Sequence, residues 1–244
     1  MNNPLDQFKI VNLIEITLGG VDFSFTNSSL ALILAALCIA IYSIIVIRKR
    51  ELVPSYLQSS AEILYVQIKG MLDSTIGSEC EKYLPFVLSI FLFVMVSNLL
   101  GMIPYSFSST SHITVTFTLA AIIFIVINII GFFNHGVKYL SILAPSGIPM
   151  IMLPLIFIVE LFAYLARPVS LSLRLVANII AGHIMMKVIA GFIIMFGSVY
   201  MALGVPPLML LTVITGFEIF IALLQAYIFS ILTCVYLNDA INLH

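Results

Sequence analysis

The chain has 244 residues, 62% hydrophobic and 9% charged, and its mean hydropathy is +1.20. A soluble domain is about 45–50% apolar and about 25% charged, so this composition cannot cover a water-facing surface and belongs in a bilayer. A net charge of −1 with ten basic residues argues against a nucleic-acid partner.

The first residues, MNNPLDQFKIVNLIEI, have neither a basic stretch before an apolar core nor the Arg-rich, acid-poor make-up of a transit peptide. The expectation is a chain that inserts through its own spans. Residues 1–29 read as an N-terminal arm, with a short amphipathic piece at Phe8–Leu18. Residues 30–47 form a first span, just long enough to cross and stopped by Arg48, Lys49 and Arg50. In residues 51–82, Leu52, Tyr56, Ile63, Leu64, Val66 and Met71 fall at rough helical spacing among Gln58, Glu62, Lys69 and Asp73, the pattern of an interfacial amphipathic helix.

Leu84–Pro104 and Ile113–Phe133 read as the second and third spans, a helical hairpin over 84–133 because the connection is about eight residues. A polar loop with Gly and Pro follows at 134–147. From Ile148 to about Val205 the apolar character is interrupted by Glu160, Arg167, Pro168, Arg174, Asn178, His183 and Lys187. A helix over 148–197 is roughly 75 Å long, against a hydrocarbon core of about 30 Å. This segment either crosses twice or lies strongly tilted. VSLSLR offers no good loop, which favours one long, kinked helix with its bend at Pro168. Gly204-Val205-Pro206-Pro207 reads as a breaker, and Leu208–Leu237 as a second long tilted helix, completing a hairpin over 148–237. The fold class is all-α membrane protein, with one membrane domain over 1–244.

With the first three spans as crossings, Arg48, Lys49, Arg50, Lys69, Lys82 and Lys138 fall on one side. The positive-inside rule makes that side the matrix or cytoplasm. The first long helix then runs outward and the last returns. Cys38, Cys80 and Cys234 match no zinc, redox or disulfide spacing and read as small hydrophobes.

Arg174 lies deep in the first long helix. A mid-bilayer arginine costs about 2.5–3.5 kcal/mol on insertion scales, and it does not lose its proton. Helical spacing places Glu160, Arg167, Arg174 and Asn178 on one stripe; a Glu160–Arg167 ion pair is the structural reading of its inner end. Ser170, Ala177, Ala181 and Gly182 keep the helix thin, as close helix packing requires. His183 is nine residues past Arg174, about 13 Å outward, with an imidazole suited to proton transfer. On the returning helix Glu218 falls in the same outer half, and Gln225 lies two turns deeper, near the level of Arg174. An antiparallel hairpin sets His183 opposite Glu218, and Arg174 near Gln225. Two titratable groups beside a fixed mid-membrane charge form a proton path ending at an electrostatic barrier.

SLSLRLVANIIAGH (170–183) resembles the signature of the a subunit of F-type ATP synthases, also called subunit 6. SNLLGMIPYSFSSTSH (97–112), GFEIFIALLQAYIFSILTCVYLNDAINLH (216–244), NPLDQFKI (3–10) and LVPSYLQSSAEILY (52–65) resemble further segments of the same family. The resemblance covers nearly the whole chain. It implies a proton-translocating stator of the Fo motor, with two aqueous half-channels. Arg174 matches the arginine facing the carboxylates of the rotating c-ring, His183 and Glu218 match the outer-channel pair, Asn178 and Gln225 match polar positions near the arginine, and Glu160 matches an acidic position on the exit side. It also implies a c-ring, a peripheral-stalk subunit b and other Fo subunits as partners, with lipid around the helices. The order of the His/Glu pair and the LNDAINLH terminus resemble mitochondrial members, which implies the mitochondrial inner membrane, with a bacterial plasma membrane as the alternative. The chain carries no GxxxxGK[ST] motif, so a non-catalytic subunit without cofactor or metal is expected. The rival is a proton-coupled secondary transporter, which calls for inverted repeats and a site at broken helices; neither is evident. Neither the HExxH of a metalloprotease nor the closely repeated arginines of a voltage sensor occur.

Overall fold

The computed structural model describes residues 11–15, 17–18, 21–22, 24–48, 51, 53–77, 80–103, 108–143, 152–197 and 200–242. Residues 1–10, Lys49, Arg50 and 144–151 lie outside the described residues, so the first part of the arm, two of the three basic residues after the first span and the start assigned to the long helix at Ile148 are not described. Six α-helices dominate: α1 Asn27–Arg48, α2 Tyr56–Ile76, α3 Cys80–Gly101, α4 Ile113–His135, α5 Leu153–Gly197 and α6 Val205–Ile241. Among the described residues, five helical segments are long and apolar enough to cross a membrane: Asn27–Arg48, Cys80–Gly101, Ile113–Tyr139, Pro154–Gly197 and Ala202–Ile241. The protein is an all-α membrane protein.

The arm differs from expectation. Among its described residues it holds, where part of the amphipathic piece was expected, four short strands: β1 Asn12–Ile14 pairs with β4 Phe25–Thr26, and β2 Thr17–Leu18 pairs with β3 Val21–Asp22, both antiparallel. Val11, Ile14, Thr17 and Val21 are β-branched, which favours extended backbone. α1 starts at Asn27, three residues before Leu30, because the Thr26 hydroxyl accepts the Ser29 amide at 3.3 Å. That is an N-cap.

α2 is capped by Ser55, whose side chain accepts from the Gln58 amide at 3.5 Å. It ends at Gly77, where φ is +77° and ψ is −132°, a positive-φ conformation open to glycine because it has no Cβ. Ile68, Met71, Leu72 and Ile76 form its buried stripe. α3 begins at Cys80, four residues before Leu84, and Lys69 of α2 pairs with Glu81 of α3 at 3.3 Å. That acid holds the exposed Lys69 ammonium above its ordinary pKa.

The loop after α4 contains a 3-10 segment, Gly136–Leu143. α5 is continuous over 45 residues with Pro168 inside, about 68 Å of helix at 1.5 Å per residue. The breaker reading of residues 204–207 needs correction. Gly204 closes a short 3-10 turn, Met201–Gly204, but α6 already begins at Val205. Pro206 and Pro207 sit in the first turn, where the missing amide hydrogens have no intrahelical partner to lose.

The chain forms two compact units. One comprises Met1–Ile44, Leu92–Ile113 and Leu175–Ala226; the other comprises Ile45–Phe91, Thr114–Arg174 and Tyr227–His244.

In the second unit, α4 buries Thr116, Ala120, Ile123, Ile127 and Gly131 along one stripe. Thr116 and Ser172 share a hydrogen bond at 3.4 Å, joining α4 to α5. Gly131 makes room for the Tyr139 ring: a Cβ there would come 2.6 Å from Tyr139 Cζ. The Tyr139 hydroxyl then lies 2.9 Å from that of Tyr164, and both tyrosines donate to Asn128 Oδ1. His135 Nε2 lies 2.7 Å from the Ile241 carbonyl oxygen, at the C-terminal end of α6 where a donor meets an unsatisfied carbonyl.

Candidate functional site

The first unit holds one polar group of residues in an apolar setting. In this unit α6 buries Glu218, Ala222, Gln225 and Ala226, a helical stripe in which Glu218 and Gln225 are two turns apart. α5 buries Ile179 and His183. From α3 come Ser97 and Asn98, buried to 3% and 0% exposure; the Asn98 amide donates to the Ala222 carbonyl at 3.4 Å. His183 interacts with the Gly101 backbone at the end of α3. The Glu218 side chain fills the space over Gly182, where a Cβ would collide with Oε1 and come 2.8 Å from Cδ. Gly182 therefore does more than thin the helix: it makes the room that Glu218 occupies, beside His183.

Among the described residues, Ser97 Oγ, Asn98 Oδ1, both Glu218 carboxyl oxygens and Gln225 Nε2 are buried without a hydrogen-bond partner. One unpaired buried polar atom costs about 1–3 kcal/mol. Five such atoms on α3 and α6 make a set that ordered water can satisfy.

The second unit carries the other charges. The expected Glu160–Arg167 ion pair is not formed. The two are seven residues apart, about 10 Å along the axis, whereas Arg167 Nη1 donates to Asp239 Oδ2 of α6 at 2.9 Å. The guanidinium carbon also lies 5.1 Å from the Tyr164 ring and 5.0 Å from the Tyr236 ring, both within cation–π range. Glu160 is half-buried.

Arg174 ends this unit. It is exposed and, among the described residues, makes no hydrogen bond or ion pair. Asn178, one turn on, is half-buried and belongs to the first unit. Arg174 and Gln225 fall in different units. Ala163, Ala166, Ser170, Ala177 and Ala181 are exposed as well, at spacings that put them on the face of α5 that carries Arg174.

Asn98, Ser97, Asp239 and the Asn128–Tyr139–Tyr164 cluster escaped sequence reasoning. Asn98 had a signal, a carboxamide inside an apolar run. Asp239 had one too, an acid near the C-terminal end of the last span. Neither signal names a partner. Among the described residues no group of His, Cys, Asp and Glu could hold a metal ion. Cys80 and Cys234 are buried thiols and Cys38 is half-buried.

Fold and site together define a class: a polytopic α-helical membrane protein whose two long helices carry ionisable and amide side chains inside their spans. A family model described as ATP synthase A chain matches residues 29–238. The chain belongs to that family, the a subunit of F-type ATP synthases, and is thus a proton-translocating membrane subunit that associates with other Fo subunits.

Proposed function

We propose that this subunit is the stator that couples proton flow to rotation, through two half-channels separated by Arg174. Protons enter from the outer side past His183 and Glu218, with Asn178 and Gln225 as polar groups along the path. They bind carboxylates on the c-ring, travel round with it, and leave past Glu160. The observation that carries this reading is Arg174. It is an exposed cation without a hydrogen-bond or ion-pair partner among the described residues, in the middle of an apolar helix of 45 residues. At mid-membrane its cost is about 2.5–3.5 kcal/mol or more, and the guanidinium cannot relieve it by losing a proton. An anion on another molecule offsets that cost, and the small residues beside Arg174 let a second helix approach. A ring carboxylate, deprotonated as it passes, is such an anion. While it is held there, a permanent positive charge bars protons from crossing directly between the two channels.

The buried, unpartnered groups at Ser97, Asn98, Glu218 and Gln225 support a hydrated outer channel. One charge crossing 100 mV is worth about 2.3 kcal/mol, so several protons are needed for each nucleotide made, and a rotor accumulates them. Nucleotide chemistry resides on other subunits, and a peripheral stalk containing subunit b holds this chain against the turning ring. The order of His183 and Glu218, with the LNDAINLH terminus, favours the mitochondrial inner membrane. The test is Arg174→Ala in the assembled complex: proton-driven ATP synthesis is lost while the soluble part still hydrolyses ATP. Unchanged synthesis refutes the reading.

A further inference from the structure

We propose that Asp239 is a charge-neutralising positioning residue, whose role is to keep Arg167 from acting as a second rotor-facing cation. The inference rests on the role just proposed for Arg174. Arg167 and Arg174 lie seven residues apart on α5, so their guanidinium groups leave the same face about 10 Å apart. Their surroundings differ. Arg167 is bonded to Asp239 at 2.9 Å, with side-chain exposures of 22% and 34% for the pair. The Tyr164 and Tyr236 rings lie 5.1 and 5.0 Å from its guanidinium carbon. Arg174 is exposed and has no such partner among the described residues.

Of two like charges on one face, one is cancelled and screened, and one is left bare. A single bare cation gives a passing carboxylate one place to stop. A second, about two turns towards the inner side, would hold the carboxylate beyond Arg174 and repel protons leaving on the exit side, where Glu160 lies on the same stripe.

The two halves of the pair are chemically unequal, and this makes the inference testable. Without Asp239, Arg167 stays charged on the face of α5 that carries Arg174, whereas without Arg167 no second cation stands there. Removing the anion should therefore harm the motor more than removing the cation. A pair that only clamps α5 to α6 loses the same bond in all three variants and lowers the amount of assembled complex, not the synthesis per assembled complex.

The experiment uses the whole complex in membrane vesicles, comparing Asp239→Asn, Arg167→Gln and the double variant. It measures proton-driven ATP synthesis, ATP hydrolysis and the amount of assembled complex. Asp239→Asn should lower synthesis per assembled complex about tenfold, the scale of an uncancelled charge about 10 Å away at an effective dielectric of about 20. Arg167→Gln should stay within about twofold of the unaltered protein, because it leaves no second cation on the face of Arg174. The double variant should return to the Arg167→Gln level. Unchanged synthesis in Asp239→Asn overturns the inference, as does a double variant no better than Asp239→Asn. If Asp239→Asn fails to accumulate in the membrane, adding Arg167→Gln must restore the assembled complex; failure to restore it also overturns the inference. Arg174→Ala run alongside separates the two levels. Synthesis retained there removes the role proposed for Arg174. Synthesis lost there, with no rescue by the double variant, removes only the role of Asp239.

Discussion

Replacing Gly182 by alanine adds one methyl group at the place where the Glu218 carboxyl rests. A Cβ there would collide with Oε1, and would stand 2.8 Å from Cδ and 3.2 Å from Cγ. Carbon atoms settle at about 3.5–4.0 Å, so the carboxyl must move by roughly 1 Å. The atoms that move are the tip of a flexible side chain, and an off-rotamer χ angle costs about 0.5–1.5 kcal/mol. That is too little to prevent assembly. The functional cost is larger, because a displacement of about 1 Å in a positioned group can slow a reaction by up to about a hundredfold. Gly182→Ala should therefore assemble normally, hydrolyse ATP in its soluble part, and make ATP from a proton gradient about ten- to a hundredfold more slowly. Adding Glu218→Asp shortens the acid by one methylene and withdraws it from the new methyl group, so the double variant should recover part of the rate. The assay is initial-rate ATP synthesis in energised vesicles, normalised to assembled complex. A Gly182→Ala rate equal to that of the unaltered protein would refute the link between this glycine and the placement of Glu218.

Glu218→Gln keeps the shape of the side chain but cannot carry a proton, so proton uptake by the energised complex should slow while the complex stays intact on native gels. Two glycines away from the proposed proton path should respond in opposite directions. Gly131→Ala drives a methyl group into the Tyr139 ring, 2.6 Å from Cζ, and overpacking of this kind costs about 1–3 kcal/mol; the thermal midpoint of the purified complex in detergent should fall. Gly70 lies inside α2 with nothing within 4 Å of its added Cβ, so Gly70→Ala should match or raise that midpoint, by the roughly 0.5–1 kcal/mol that alanine gains over glycine in a helix.

The spans were legible because hydropathy and helical period are local properties. An apolar run of the right length between charged ends has few other fates in a bilayer, and α1, α3, α4, α5 and α6 all lie where such runs stand. The boundaries were less legible, because caps set them. Thr26 starts α1 early, Gly77 ends α2, and two prolines that looked like a breaker serve as a first helical turn. The stripe holding Arg167, Arg174 and Asn178 also followed from spacing alone, as did the separation of Glu218 and Gln225 on one face of the last helix.

By itself, then, the sequence determined which residues must be buried in lipid and which cation stands conspicuously among them. Tertiary structure alone decided who meets whom. Asp239 reaches Arg167 across 72 positions, and Asn98 reaches the Ala222 carbonyl across 124. The Glu160 partner that spacing suggested for Arg167 lost to an acid on another helix. A contact along one helix is limited to groups about one turn apart, whereas packing brings distant turns within hydrogen-bonding range. The choice among partners therefore depends on how helices pack, which no local pattern records.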